Sequence, residues 1–154
     1  FTRIATLSRH EAPAEPGTLP ARAARSQGRT VLRRVGRLMQ CGHGWEWREI
    51  TSRDVRVATA RGRVFISDAG VGAAAVLGDR YEESLMVVAV GGTVRPLTDL
   101  LRAMRAVASR RGLDDVSFYV SSAVDQRAAR SAGYRRPWSG ETYLFEKRFR
   151  RGAP

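Results

Sequence analysis

The sequence is short of lysine, histidine and cysteine. Lys147, Cys41, His10 and His43 are the only residues of these types among 154. A single cysteine excludes an internal disulfide framework and any cysteine-rich zinc site, and no bound metal is expected. No apolar run approaches the roughly 18 residues that a membrane-crossing helix needs. The opening FTRIATLSRH has no apolar stretch of the signal-sequence kind. A cytoplasmic protein with no membrane partner is the expectation. No repeat and no low-complexity tract is visible.

What the chain has in quantity is arginine. Lys+Arg is 27 against 15 Asp+Glu, for a net charge of +12. Clustered cations favour polyanions through counterion release. Here the arginines are scattered along the chain beside abundant alanine, a composition that a GC-rich genome also produces. Two local runs could touch anions, Arg33/Arg34/Arg37 and Arg148/Arg150/Arg151. A solvated basic face is the plainer reading of both, and nucleic acid is not the expected partner. At 43% hydrophobic and 8% aromatic residues, the chain can bury a core and suits one domain.

Local patterns place the elements. A short strand over 2–8 and a linker with Pro13, Pro16 and Pro20 fill residues 1–29. Because it opens with Phe1 rather than Met, a fragment of something longer is one expectation for the chain. Residues 30–40 carry a helical stripe, Val31, Val35 and Leu38, interrupted by Gly36. WEWREI alternates as a strand. Thr51 and Asp54 are spaced as a capping box for a short helix reaching about residue 60. RVFIS and GAAAVL form a hairpin over 63–67 and 72–77, joined by a turn containing Asp68 and Gly70. ESLMVVAV at 83–90 reads as a central strand covered on both faces.

Gly91 and Gly92 end that strand, and Pro96 opens the strongest helix. Its stripe is Leu97, Leu100, Leu101, Met104, Val107 and Ala108, and Gly112 closes it. DVSFYVS at 115–121 is the next strand. A helix follows over 123–132, closed by Gly133, and two strands over 134–137 and 142–149 end the chain. The fold class is mixed α/β (α+β): three consecutive antiparallel strands, then a right-handed β-α-β crossover.

The segment VVAVGGTVRPLTDLLRAMRAVASRRGLDDVSFYVSSAVDQRAARSAGYRRP, with TYLFEKRF after it, resembles the GCN5-related N-acetyltransferase (GNAT) superfamily. The resemblance covers residues 45–149, with Ala132-Gly133-Tyr134 standing where the family carries Gly-Phe. Residues 1–29 then read as an N-terminal strand and linker, 30–150 as the GNAT-like domain, and 151–154 as a tail. The strand over 2–8 reads as the last strand of a preceding unit in a tandem protein.

The resemblance implies a mostly antiparallel sheet with helices on both faces and a splayed central pair of parallel strands, 83–90 and 115–121. It implies acetyl-CoA as acyl donor between those strands and a small-molecule or peptide amine as acceptor. The cofactor-binding positions it implies are Val88, Ala89, Val90, Gly91, Gly92, Thr93, Val94, Arg95, Leu97 and Thr98. Glu83 is the implied general base; Glu82 and Glu49 are the other carboxylates considered. The chain departs from the family at its phosphate loop, where Arg95 and Leu97 replace glycines and Pro96 removes a donor. It departs again where the family often has a catalytic tyrosine, which is Ala129 here.

Two other readings stay open: a non-catalytic GNAT-like half serving a tandem domain or a homodimer, and a basic nucleic-acid-binding module. Cys41 and His43 could form a nucleophile pair or a metal site but lack further partners, so an incidental cysteine is the simpler reading. Trp45 and Trp47 read as core or lid. Trp138 reads as packing, with a substrate cleft as its alternative.

Overall fold

The computed structural model describes residues 2–17, 21–41, 46–67, 71–138 and 140–146. Its main sheet has seven strands: β1 (Thr2–Pro13), β2 (Ala21–Ala23), β5 (Val64–Ser67), β6 (Ala73–Leu77), β7 (Ser84–Gly92), β8 (Asp115–Val120) and β9 (Thr142–Glu146). Their spatial order is β2-β5-β6-β7-β8-β1-β9. Neighbours are antiparallel except β7 and β8, which are parallel. A separate hairpin pairs β3 (Leu38–Cys41) with β4 (Glu46–Glu49).

Helices cover both faces. α3 (Val94–Arg110) and α4 (Ala123–Ser131) lie on one, and the whole expected α3 stripe is buried against the sheet with Leu85, Val87, Val116 and Phe118. α1 (Gly28–Arg34) and α2 (Ser52–Ala60) lie on the other, packed on Ile66, Ala74, Val76 and Ala89. The capping box at α2 is formed: Thr51 Oγ1 accepts from the Asp54 amide, and Asp54 accepts from the Thr51 amide. Among the described residues no helix is long and apolar enough to cross a membrane.

Three expectations change. The helix over 30–40 is shorter and starts earlier, at Gly28. Gly36 adopts φ +76, which turns the chain, so Leu38 and Met39 lie on β3 instead. The strand over 2–8 continues to Pro13. Its first half pairs with β9 and its second half with β8, so it lies inside the sheet. The strand over 134–137 reduces to one bridge, Arg135 to Glu11. Trp45, His43, Asp68, Gly70, Arg148, Arg150, Arg151 and the end of the last expected strand fall outside the described residues.

Candidate functional site

β7 and β8 are joined only at Ser84↔Asp115, Leu85↔Val116 and Met86↔Ser117. Both strands run on, to Gly92 and Val120, with no further pairing between them. On its opposite edge β7 stays paired with β6 as far as Ala73↔Gly92. The edge of residues 88–90 that faces β8 is thus without a strand partner. One residue in this stretch is extra: Leu77 faces Val87 and Val76 faces Ala89, which leaves Val88 as a bulge. The bulge puts Val88 and Ala89 on one face together, while Val87 and Val90 point to the α3 side. Gly78 makes room for it, since a Cβ there would come within 2.5 Å of Val88 Cγ1.

Two cavities open on the α1–α2 side of this gap. The first, about 640 Å³, has Val88, Ala89 and Val90 along one wall and Tyr119, Val120 and Ser121 along the other. Val35, Leu38 and Trp47 cover it, and Ile4, Ala5 and Leu7 of β1 close its far side. The second, about 710 Å³, lies beside the first half of β7, at Ser84 and Met86, beneath α2 and β3. Arg48, Val88 and Tyr119 border both cavities, so the two meet at the bulge.

Tyr119 stands at that junction. Its ring meets Trp47 edge-on at 5.5 Å between centroids. Alternation along β8 points Tyr119 away from the buried Phe118 and toward the cavities. Its hydroxyl has no hydrogen bond among the described residues. Tyr134, the other tyrosine near the family's motif, is core: it is 3% exposed, its hydroxyl donates to the Leu101 carbonyl, and burial raises its pKa.

Electrostatics differ between the cavities. The first holds Glu49, Asp125 and Glu146 with Arg37 and Arg48. Arg37 Nε donates to Glu49 at 2.6 Å, and burial raises the Asp125 carboxyl above its ordinary range. The second is bordered by six arginines and two aspartates. Asp54 accepts from both Nη atoms of Arg48 at 2.6 Å, and these bonds hold its pKa far below the usual carboxylate range.

The expected cofactor residues divide in two. Val88, Ala89 and Val90 line the first cavity, and Gly91, Gly92, Thr93, Val94, Arg95, Leu97 and Thr98 do not. Gly91 is needed for packing, because a Cβ there would stand 2.0 Å from the Arg34 carbonyl at the end of α1. A Cβ on Gly92 would stand 2.5 Å from the Gly72 carbonyl and 2.6 Å from Ala73. Leu97 is fully buried in the α3 core, so it does not obstruct the gap, and the Thr98 hydroxyl donates to Val94 within the helix. Thr93 and Arg95 are exposed at the start of α3, whose first turn holds no acidic residue.

Glu83 is exposed, next in the chain to Ser84, and borders neither cavity; Glu82 is likewise exposed and borders neither. Cys41 borders the second cavity, with its thiol directed at the Met39 carbonyl. Trp138 is half exposed, with the Arg9 guanidinium 5.2 Å from its ring centre. The sequence reading gave Tyr119 no role and did not foresee Arg9 in a site. Alternation in DVSFYVS placed Tyr119 on a face, but only the short ladder with β7 shows that this face meets a cavity.

Two solved structures are similar to the whole arrangement. One is an acetyltransferase of the GNAT family from Colwellia psychrerythraea, with a TM-score of 0.58, 12% identity, and coverage of 89% of this chain and 55% of that one. The other is a GCN5-related N-acetyltransferase from Sphaerobacter thermophilus, with a TM-score of 0.56, 13% identity, and coverage of 92% and 50%. The chain spans about half the length of each. No protein-family model matches it, and no curated protein does. At these identities the likeness is one of fold: a GNAT-like mixed sheet with one parallel pair, β7 and β8.

Proposed function

We propose that this GNAT-fold chain is one unit of an acyl-CoA-dependent N-acyltransferase that moves acetyl from acetyl-CoA to a primary amine. The observation that carries the reading is the parting of β7 from β8 after Met86 and Ser117. A thin chain fits such a gap as an added strand does, through the backbone groups of the open edge. Along the gap the first cavity is walled by Val88, Ala89, Val90 and Val120, and it lies within the size range of small-ligand sites, so the residues beside the gap fit the pantetheine arm. Bound acetyl-CoA supplies an acetyl group already activated as a thioester.

The remaining work belongs to the chain. Backbone N–H groups of residues 88–90 are the donors available to charge developing on a carbonyl oxygen. The first turn of α3 favours anions through its unpaired amides, and Arg95 adds a cation there, so this end suits the phosphates. Tyr119 Oη, at the meeting of the cavities, gives a proton to the departing sulfur. The amine's proton leaves to water, because Glu83 borders neither cavity and stands roughly 16 Å along the strand from Val88.

Titration calorimetry and amide NMR with acetyl-CoA test the reading. Saturable heat with shifts of the Val88, Ala89 and Val90 amides is expected. No heat and no shift at millimolar acetyl-CoA would overturn it.

A further inference from the structure

The second cavity has a strongly one-sided charge. Arg9, Arg48, Arg53, Arg61, Arg63 and Arg80 border it against Asp54 and Asp79. Both aspartates are already engaged, Asp54 by Arg48 and Asp79 by Arg63 Nη1 at 2.7 Å. Among the described residues, Arg53, Arg61 and Arg80 have no carboxylate partner. Arg9 reaches Glu11 only at 3.6 Å, and its Nε–H is buried with no acceptor among the described residues. The floor is apolar: Val76, Met86 and Val88, with Val57 of α2 above them. An aliphatic segment fits there between an acid group at the arginines and an amine at the Tyr119 junction.

We propose that this cavity binds an acceptor that itself carries acid groups, a primary amine bearing a carboxylate or a phosphate. The inference rests on the acyltransferase reading for the ligand's role, and on the arginines for its charge. A polycationic amine finds no unengaged carboxylate in this cavity. The same field disfavours an ammonium ion and so helps the amine reach its neutral, nucleophilic form. In the transfer, the amine nitrogen bonds the acetyl carbon and the C–S bond breaks. The nitrogen loses its proton to water, and the sulfur gains one from Tyr119.

The test is calorimetry on the full chain with O-phosphoserine, glutamate and spermidine, each with and without saturating CoA. CoA occupies its own phosphate subsite, so binding in its presence reports on the second cavity. Either anion is expected to bind, with an affinity that falls as salt rises. An Arg9→Gln variant and an Arg53→Gln/Arg80→Gln variant should each weaken it at least about tenfold, with CoA affinity and melting temperature unchanged. Phosphoserine alone binding would assign phosphate, and glutamate alone carboxylate. Spermidine binding more tightly than both anions, neither anion binding, or anion affinity unmoved by the variants would overturn the inference. If CoA fails to bind, the acyltransferase reading falls, while the anion titrations still decide the cavity's charge preference.

Discussion

His10 on β1 is 1% exposed and stacked on Phe118 at 6.0 Å between ring centres. Ser8 Oγ lies 3.1 Å from its Nε2, and Nδ1 has no partner among the described residues. Burial, with smaller contributions from Arg136 and Arg130, lowers its pKa from 6.5 to about 4. Between those values the unfolded chain holds a proton that the folded one does not. This contribution is therefore complete above pH 6.5 and is lost as pH falls toward 4. Its size is on the order of 3 kcal/mol. Urea unfolding at pH 7 and pH 4.5 should show the drop, and His10→Leu should flatten it. At Tyr119, replacement by Phe keeps the contact with Trp47 and removes only the hydroxyl. We expect acetyl-CoA affinity and melting temperature to hold while kcat for transfer falls about a hundredfold, measured by CoA release. Gly91→Ala forces a methyl group against the Arg34 carbonyl. It should cost about 1–3 kcal/mol, seen in thermal unfolding.

Arg105 of α3 joins three elements. Its Nε donates to the Pro13 carbonyl, Nη1 to the Ala132 carbonyl, and Nη2 pairs with Glu15 at 2.7 Å. Arg102 on the same helix is exposed, with a 3.7 Å contact to Asp99 and one bond to the Ser131 carbonyl. Arg105→Leu should therefore lose about 2–3 kcal/mol and Arg102→Leu under about 1 kcal/mol, compared by denaturant midpoints. Elements held by their own periodicity were legible beforehand: the α3 stripe, the α2 cap and the β5–β6–β7 meander. The first half of β1 was legible too, but its continuation to Pro13 was not, because Arg9, His10 and Glu11 look like a loop until β8 supplies their partners. The helix over 30–40 was misjudged since Leu38 keeps helical spacing across a glycine that turns the chain. Of the site, residues 88–90 could be read from an apolar run. The second cavity is assembled from β1, β3, β4, α2, β6, β7 and β8, and no local pattern announces such a meeting.

At the scale of the whole molecule, β1 separates β8 from β9. Deleting residues 1–13 would leave both strands without a neighbour on the facing sides. We expect the shortened chain to aggregate, as open strand edges do, with light scattering and loss of cooperative melting as the measurements. A chain that stays monomeric and melts cooperatively would show that the remaining strands close the sheet unaided.

The same arrangement sets a timetable for the polypeptide as it is made. Ser8 meets Val120, 112 positions later. At some 5–20 residues per second, the strand destined for the interior spends several seconds waiting beside the ribosome. Its run of polar residues, Arg9, His10 and Glu11, helps keep it soluble during that interval, and such distant closure makes its docking the slow, late step of folding.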